Sequence, residues 1–217
     1  MGRKTRQEAE ATRERILDSA EVLFASDGVS SVALTRIARH AGVTTGALYG
    51  HFDDKNALLC ALFARANGPV SRHVEAFLST EAGSDNISSI EAFILRIFDE
   101  IVGDQHRICL FQIMLTHMEM TAKNVLTERY RDALARLNAA LRHGIDLLNS
   151  ERGASDHLQR DNAATFLATQ LVGSLRLSFF EGSTEMSRIG ARRNIRAAVA
   201  AMSCADVASR LAGTGTI

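Results

Sequence analysis

The sequence predicts an all-α chain of about nine helices, with a small three-helix unit at the N-terminus and a larger helical region after it. Three observations carry this. A single proline, Pro69, stands in 217 residues, and proline is the residue that interrupts helices. Apolar residues recur at spacings of three and four through most of the chain. Alternation with period two is rare, and no Asn-Gly or Asp-Gly pair lies between two apolar runs. Asp27-Gly28 ends a helical pattern, and Asn67-Gly68 stands directly before Pro69.

The first helix is expected over residues 7–26, where Ile16, Leu17, Ala20, Leu23 and Phe24 share one face. Gly28 then supplies a left-handed stop. Two short helices follow over 35–41 and 45–51, separated at Gly42, with Thr44 placed to cap the second. Asp53 is expected to cap the next helix, and Gly68-Pro69 to kink or break it before 70–78. Residues 81–89, polar and containing Gly83, read as a loop. Helical patterns continue over 90–102, 107–120, 125–148, 160–180 and 187–212, with a polar separator at 149–156 and a frayed end at 213–217.

Composition sets limits on function. Lys plus Arg and Asp plus Glu number 25 each, so net charge is zero and gives no general attraction to nucleic acid. Residues 1–56 balance as well, with eight of each sign. Any DNA contact must then come from local placement. No run of about 18 apolar residues marks a membrane span, and the N-terminus lacks the apolar centre of a secretory signal. Cys60, Cys109 and Cys204 are odd in number, far apart and in apolar runs, which argues against disulfides and a zinc site. A reducing, cytoplasmic setting is the expectation, with no metal and no cofactor. Phosphate-cradling glycine motifs, H-E-x-x-H and G-x-S-x-G are all missing, so no enzyme class is indicated.

The segment 35–55 carries the functional signal. Ala38 is small enough for a second helix to pack closely, and Gly42, four residues later, suits a left-handed turn. Ile37, Val43 and Leu48 supply inward apolar groups. This is the spacing of a helix-turn-helix, whose second helix enters the major groove with its N-terminal residues nearest the bases. The candidate DNA-contacting residues are Thr35, Thr44, Thr45, Gly46, Tyr49, His51 and Lys55, together with Arg3, Lys4 and Arg6 as a basic arm. A solvated tail is the plainer reading of that arm.

The run from Arg3 to Phe63 resembles the N-terminal domain of TetR-family regulators, and the AcrR type in particular. The residues concerned are Arg3, Lys4, Thr5, Arg6, Gln7, Glu8 and Ala9, then Thr12, Arg13, Arg15, Ile16, Leu17, Asp18, Ala20, Leu23, Phe24, Gly28 and Val29. Ile37, Ala38, Gly42, Val43, Thr44, Gly46, Ala47, Leu48, Tyr49, His51, Phe52 and Lys55 complete the match. The resemblance implies a DNA-binding domain over 1–56 and an effector-binding, dimerising helical domain over 57–217. It further implies a repressor released from operator DNA by a small hydrophobic effector, at a multidrug efflux operon. Thr45 and Gly50 depart from such repressors, which often carry arginine and an aromatic there. The departure points to fewer guanine contacts.

Within the larger domain, Phe98, Phe111, Met114, His117, Met118, Phe166 and Gln170 are candidate effector contacts, because flexible and aromatic side chains with a few polar groups suit varied apolar ligands. Ordinary core packing is the alternative for each. By resemblance, Leu167, Leu171, Leu175 and Phe179, with the small Ala197 and Ala201, are the candidate homodimer contacts. The Gly68-Pro69 break is a candidate point of movement. Three alternatives stay open: a thiol-based redox regulator using Cys109, control of a metabolic operon, and activation in place of repression.

Overall fold

The computed structural model describes residues 6–81, 86–120, 125–152, 157–182 and 184–213, and the side chains of 6–81, 87–114, 127–149, 159–182 and 184–202. Among these residues there are nine helices and no strand: α1 (Arg6–Asp27), α2 (Leu34–His40), α3 (Thr45–Tyr49), α4 (Lys55–Leu78), α5 (Asn86–Val102), α6 (Gln105–Met120), α7 (Val125–Arg152), α8 (His157–Phe180) and α9 (Glu185–Gly213). The expected loop residue Gly83 and the expected frayed end at 214–217 lie outside the described residues.

The chain forms two compact units, Met1–Gly68 with Asp104–Arg131, and Pro69–Gly103 with Asp132–Ile217. In the first, α1 packs against α2 and α6, and α2 against α3. Its core draws Ile16, Leu17 and Phe24 from α1, Ile37 and Leu48 from the two short helices, and Leu58, Leu59 and Leu62 from α4, all at most 2% exposed. In the second unit, α8 packs along α9, and α5 touches both. Phe77 stacks on Phe93 with ring centroids 4.1 Å apart. Beside them Gly144 lets α7 approach, since a Cβ there would fall 2.9 Å from Ile90 and 3.0 Å from Phe77.

Several helix ends differ from the sequence expectation. Asp54, not Asp53, caps α4: its carboxylate accepts from the Ala57 amide at 2.7 Å. Helix α4 is not broken at Gly68-Pro69 but runs through it. Proline forbids the preceding residue the helical region mainly through a clash with that residue's Cβ and N–H, and Gly68 has no Cβ. The remaining loss is one backbone bond, the one Pro69 would have returned to the Arg65 carbonyl. Helix α5 begins at Asn86, inside the expected loop, and α7 continues to Arg152, into the expected separator. Residues Gln159–Phe180 are long and apolar enough to cross a membrane, with mean hydropathy 1.2, yet 44% of that window is buried inside the protein, where α8 packs on α9.

Candidate DNA-binding surface

The surface is built on the turn between α2 and α3. Helix α2 closes when the Ala41 amide donates to Ile37 at 2.9 Å, and Gly42 takes φ +65°, the left-handed region that a Cβ disfavours. The Val43 amide then turns back to the Ala38 carbonyl at 3.0 Å. That return is sterically open because Ala38 is small and 1% exposed. Thr44 sits in extended backbone, and its Oγ1 accepts from the Ala47 amide at 3.1 Å, capping α3. After one turn the helix ends on Gly50, and the His51 and Phe52 amides both donate to Leu48 at 2.9 Å. Ile37, Leu48 and Phe52 are buried beneath, whereas Val43 is only half-buried.

The outward residues follow from this frame. Thr35, Thr44, Thr45, Gly46, Tyr49 and Gly50 are exposed, with Tyr49 at 49%. His51 is half-buried next to Phe52. Arg6 is the first residue of α1 and exposed, while Arg3 and Lys4 lie outside the described residues. Lys55 is half-buried, and its Nζ donates to the Val29 carbonyl at 2.8 Å and the Ser30 carbonyl at 3.5 Å, tying the start of α4 to the loop after α1. Arg13 of α1 lies over the Phe52 ring at 5.6 Å and braces the corner after α3.

Sequence reasoning passed over Arg36, Arg39 and His40, which are exposed on α2 beside Thr35. Their three- and four-residue spacing is legible. Arg36 pairs with Asp27, and a hydrogen bond from Ser26, then one from Arg36, hold the Asp27 carboxyl below its usual range. Arg39 stands on the outer face of α2, where the first helix of such a motif crosses the DNA backbone.

A second feature without a sequence forecast lies in the same unit. Glu14, Asp18 and Glu21 line one face of α1, and the Arg65 guanidinium of α4 reaches them at 3.2, 2.7 and 2.5 Å. Glu21 is 7% exposed and also accepts from His106 Nδ1 of α6 at 2.9 Å. The Cys109 thiol lies 3.7 Å from the Glu21 carbonyl. Burial first, and then the Glu21 charge, push that thiol up to about 11.

The candidate effector contacts do not collect in one unit. Phe111 and Met114 belong to the first; Phe98, Phe166 and Gln170 belong to the second. Phe98 is fully buried, whereas Phe166 on α8 is 42% exposed. The side chains of His117 and Met118 lie outside the described residues. Of the candidate dimer contacts, Leu167, Leu171, Leu175 and Phe179 are 1–7% exposed. They are buried within the protomer. Ala197 and Ala201 are exposed. The outward stripe of α8 is a different one: Phe166, Gln170, Gly173, Leu177 and Phe180, spaced by four and three. Met186 and Ile189 of α9, 77% and 52% exposed, extend the apolar surface of the second unit.

The description "Bacterial regulatory proteins, tetR family" matches residues 16–62, which span α2, α3 and their flanks. The HTH-type transcriptional regulator AcrR of Shigella flexneri is 31% identical over 151 residues, covering 67% of this chain and 70% of its own. Among solved structures, the SmeT–triclosan complex (SmeT being from Stenotrophomonas maltophilia) superposes with TM-score 0.73 at 26% identity, covering 90% of this chain and 91% of that one. NalD, the secondary repressor of the MexAB-OprM multidrug efflux pump in Pseudomonas aeruginosa, shares the fold with TM-score 0.71 at 22% identity, covering 89% and 96%. With the helix-turn-helix geometry above, these likenesses place the protein among non-enzymatic DNA-binding regulators: the chain belongs to the TetR/AcrR family of bacterial transcriptional regulators.

Proposed function

We propose that this chain is a homodimeric repressor that holds operator DNA through two copies of the α2–α3 surface and is released by a small hydrophobic effector, at the operon of a multidrug efflux pump. The observation that carries the reading is the capped α3 with Thr45, Gly46 and Tyr49 directed to solvent over a buried Leu48. Such a helix is short, rigidly seated and bare on its outer side, as a major-groove reader must be. The unpartnered apolar stripe on α8 and α9 supports a two-fold dimer. The relatives support the effector class and the operon, since SmeT holds triclosan and NalD represses an efflux pump. Phe111 and Met114, both on α6 in the first unit, are the proposed apolar contacts with the effector.

The redox alternative loses support from Cys109 itself. A thiol held near 11 is almost wholly protonated at neutral pH, whereas sensing requires the thiolate.

The test is a mobility shift with the DNA upstream of this gene and of its neighbours, with and without hydrophobic drugs or dyes. Specific binding that the drugs release is the expected result. Arg39→Ala is expected to weaken binding across all sequences and lower the salt slope by about one. Sequence-independent binding, or specific binding that no apolar compound and only peroxide releases, would sink the repressor-and-effector reading.

A further inference from the structure

We infer that this protein recognises its operator chiefly through thymine methyl groups in the major groove, with Thr45 and Tyr49 as the reading residues, and makes no bidentate guanine contact from its reading helix. The inference rests on the DNA-binding reading above and narrows it to a base chemistry.

The major groove presents few kinds of group. Guanine offers two acceptors that arginine or lysine engages, adenine a donor and an acceptor that match asparagine or glutamine, and thymine an acceptor with the only methyl. Residues 44–51 contain no arginine, lysine, asparagine or glutamine. What α3 does expose is narrow. The Thr44 oxygen accepts from the Ala47 amide, so that side chain is held in place by the helix cap. Gly46 adds no side chain at all, and the space beyond its Cα is empty to 4 Å. A base edge can therefore approach the backbone there, flanked by the methyl and hydroxyl of Thr45 and the ring of Tyr49, 49% exposed. Both groups offer apolar contact to a methyl and one hydroxyl each, and neither can form two parallel bonds to guanine.

Among the described residues, Arg36, Arg39 and Lys55 do not substitute. Arg36 is paired with Asp27, and Lys55 is bound to the Val29 and Ser30 carbonyls. Arg36 and Arg39 also belong to α2, the helix that crosses the phosphate backbone. His51, the remaining polar ring, follows α3 at its C-terminal side and is half-buried. Within α3, base discrimination thus falls on Thr45 and Tyr49.

The experiment uses the full-length protein and an operator found by selection from random duplexes and confirmed by footprinting. Each thymine in turn is replaced by uracil, which lacks only the methyl, and each guanine by 7-deazaguanine, which lacks the N7 acceptor. One or two uracil positions in each half-site are expected to weaken binding roughly threefold to fivefold apiece, the scale of one buried methyl. Thr45→Ser, which keeps the hydroxyl and removes the methyl, is expected to make one of those uracil effects vanish. 7-Deazaguanine is expected to leave affinity within about twofold, where loss of a bidentate guanine contact would cost about tenfold or more. Tight, specific binding with neutral uracil positions and a large 7-deazaguanine effect would overturn the inference while leaving the regulator reading intact. Failure to select any sequence would instead overturn the regulator reading itself.

Discussion

Replacing Phe180 and Met186 by alanine should dissociate the proposed dimer without unfolding the protomer. Phe180 is 92% exposed and Met186 77% exposed, so neither holds its own chain together. Truncating a phenylalanine to alanine deletes roughly 100 Å2 of apolar surface that a partner could cover, about 2.5 kcal/mol at 25 cal/mol per Å2. A two-fold interface contains each substitution twice, so Phe180→Ala alone stands to remove about 5 kcal/mol. Incomplete coverage by the partner reduces this, and a weakening of roughly 100- to 1,000-fold is the working expectation. Sedimentation equilibrium from nanomolar to micromolar protein measures it, with far-UV circular dichroism as the folding control. Leu171→Ala provides the contrast: Leu171 is 1% exposed, and its truncation should cost about 2–5 kcal/mol of protomer stability. An unchanged dimer constant in the Phe180→Ala, Met186→Ala protein would refute the assignment of the outward stripe.

Gly42→Ala adds a methyl in open space at φ +65°, so only the backbone conformation is penalised, by about 1 kcal/mol in urea denaturation. Gly144→Ala meets Ile90 and Phe77 at 2.9 and 3.0 Å instead, and overpacking of about 1–3 kcal/mol is expected there. Arg65→Met strips the guanidinium from Glu21, which is 7% exposed; a loss of about 2–3 kcal/mol is expected, most of it recovered when Glu21→Leu is added. Because the Cys109 thiol is raised from 9.0 to about 11, the folded protein keeps a proton that the unfolded chain loses in that interval. Stability present below pH 9 should therefore fall as pH rises towards 11, more steeply in the wild type than in Cys109→Ala, as thermal melts across that range would register. Alkylation of Cys109 by iodoacetamide at neutral pH should likewise be far slower than that of a free thiol. Replacing Gly68 and Pro69 together by alanine restores the missing amide of α4 and should change effector response more than operator affinity, read from paired mobility-shift titrations.

The legible parts of this fold are those where one residue type is nearly obligatory. Gly28 and Gly42 marked helix ends because a left-handed backbone favours glycine, and they adopt φ +79° and +65°. Asp53 and Asp54 are chemically equivalent caps, and only the packing of Leu58 and Leu59 selects the register in which Asp54 reaches the Ala57 amide. On α8 the difficulty was different. Leu167, Leu171 and Leu175 form one apolar stripe, and Phe166, Leu177 and Phe180 another. A helix apolar on opposite faces does not declare which face its own chain covers. The acidic row Glu14, Asp18 and Glu21 was readable as one face of α1, but its partners Arg65 and His106 come from helices 44 and 85 residues beyond Glu21. At α3 the helix-turn-helix spacing was legible in the sequence, whereas the Thr44 cap and the open space at Gly46 are visible only in the structure.

Helix α4 shows how a weak point and its reinforcement can lie one turn apart. Pro69 offers no amide to the Arg65 carbonyl, so bending at that level breaks no further backbone bond. In the turn before it, the Arg65 side chain holds three carboxylates of α1, and Arg107 Nε of α6 donates to the Ala66 carbonyl at 3.1 Å. The same helix begins at Lys55, whose ammonium is fixed on the loop that leads into α2. The stretch from Lys55 to Ala66 is thus fastened to α1 and α6 at one end and to the α1–α2 loop at the other, and compliance is left to Gly68 and Pro69. A shift of α6 would act first on Arg107 and His106, and through Ala66 and Glu21 on α4 and α1. Bending of α4 at that level would therefore need no broken helix, since the absent bond lies just beyond the fastened turn.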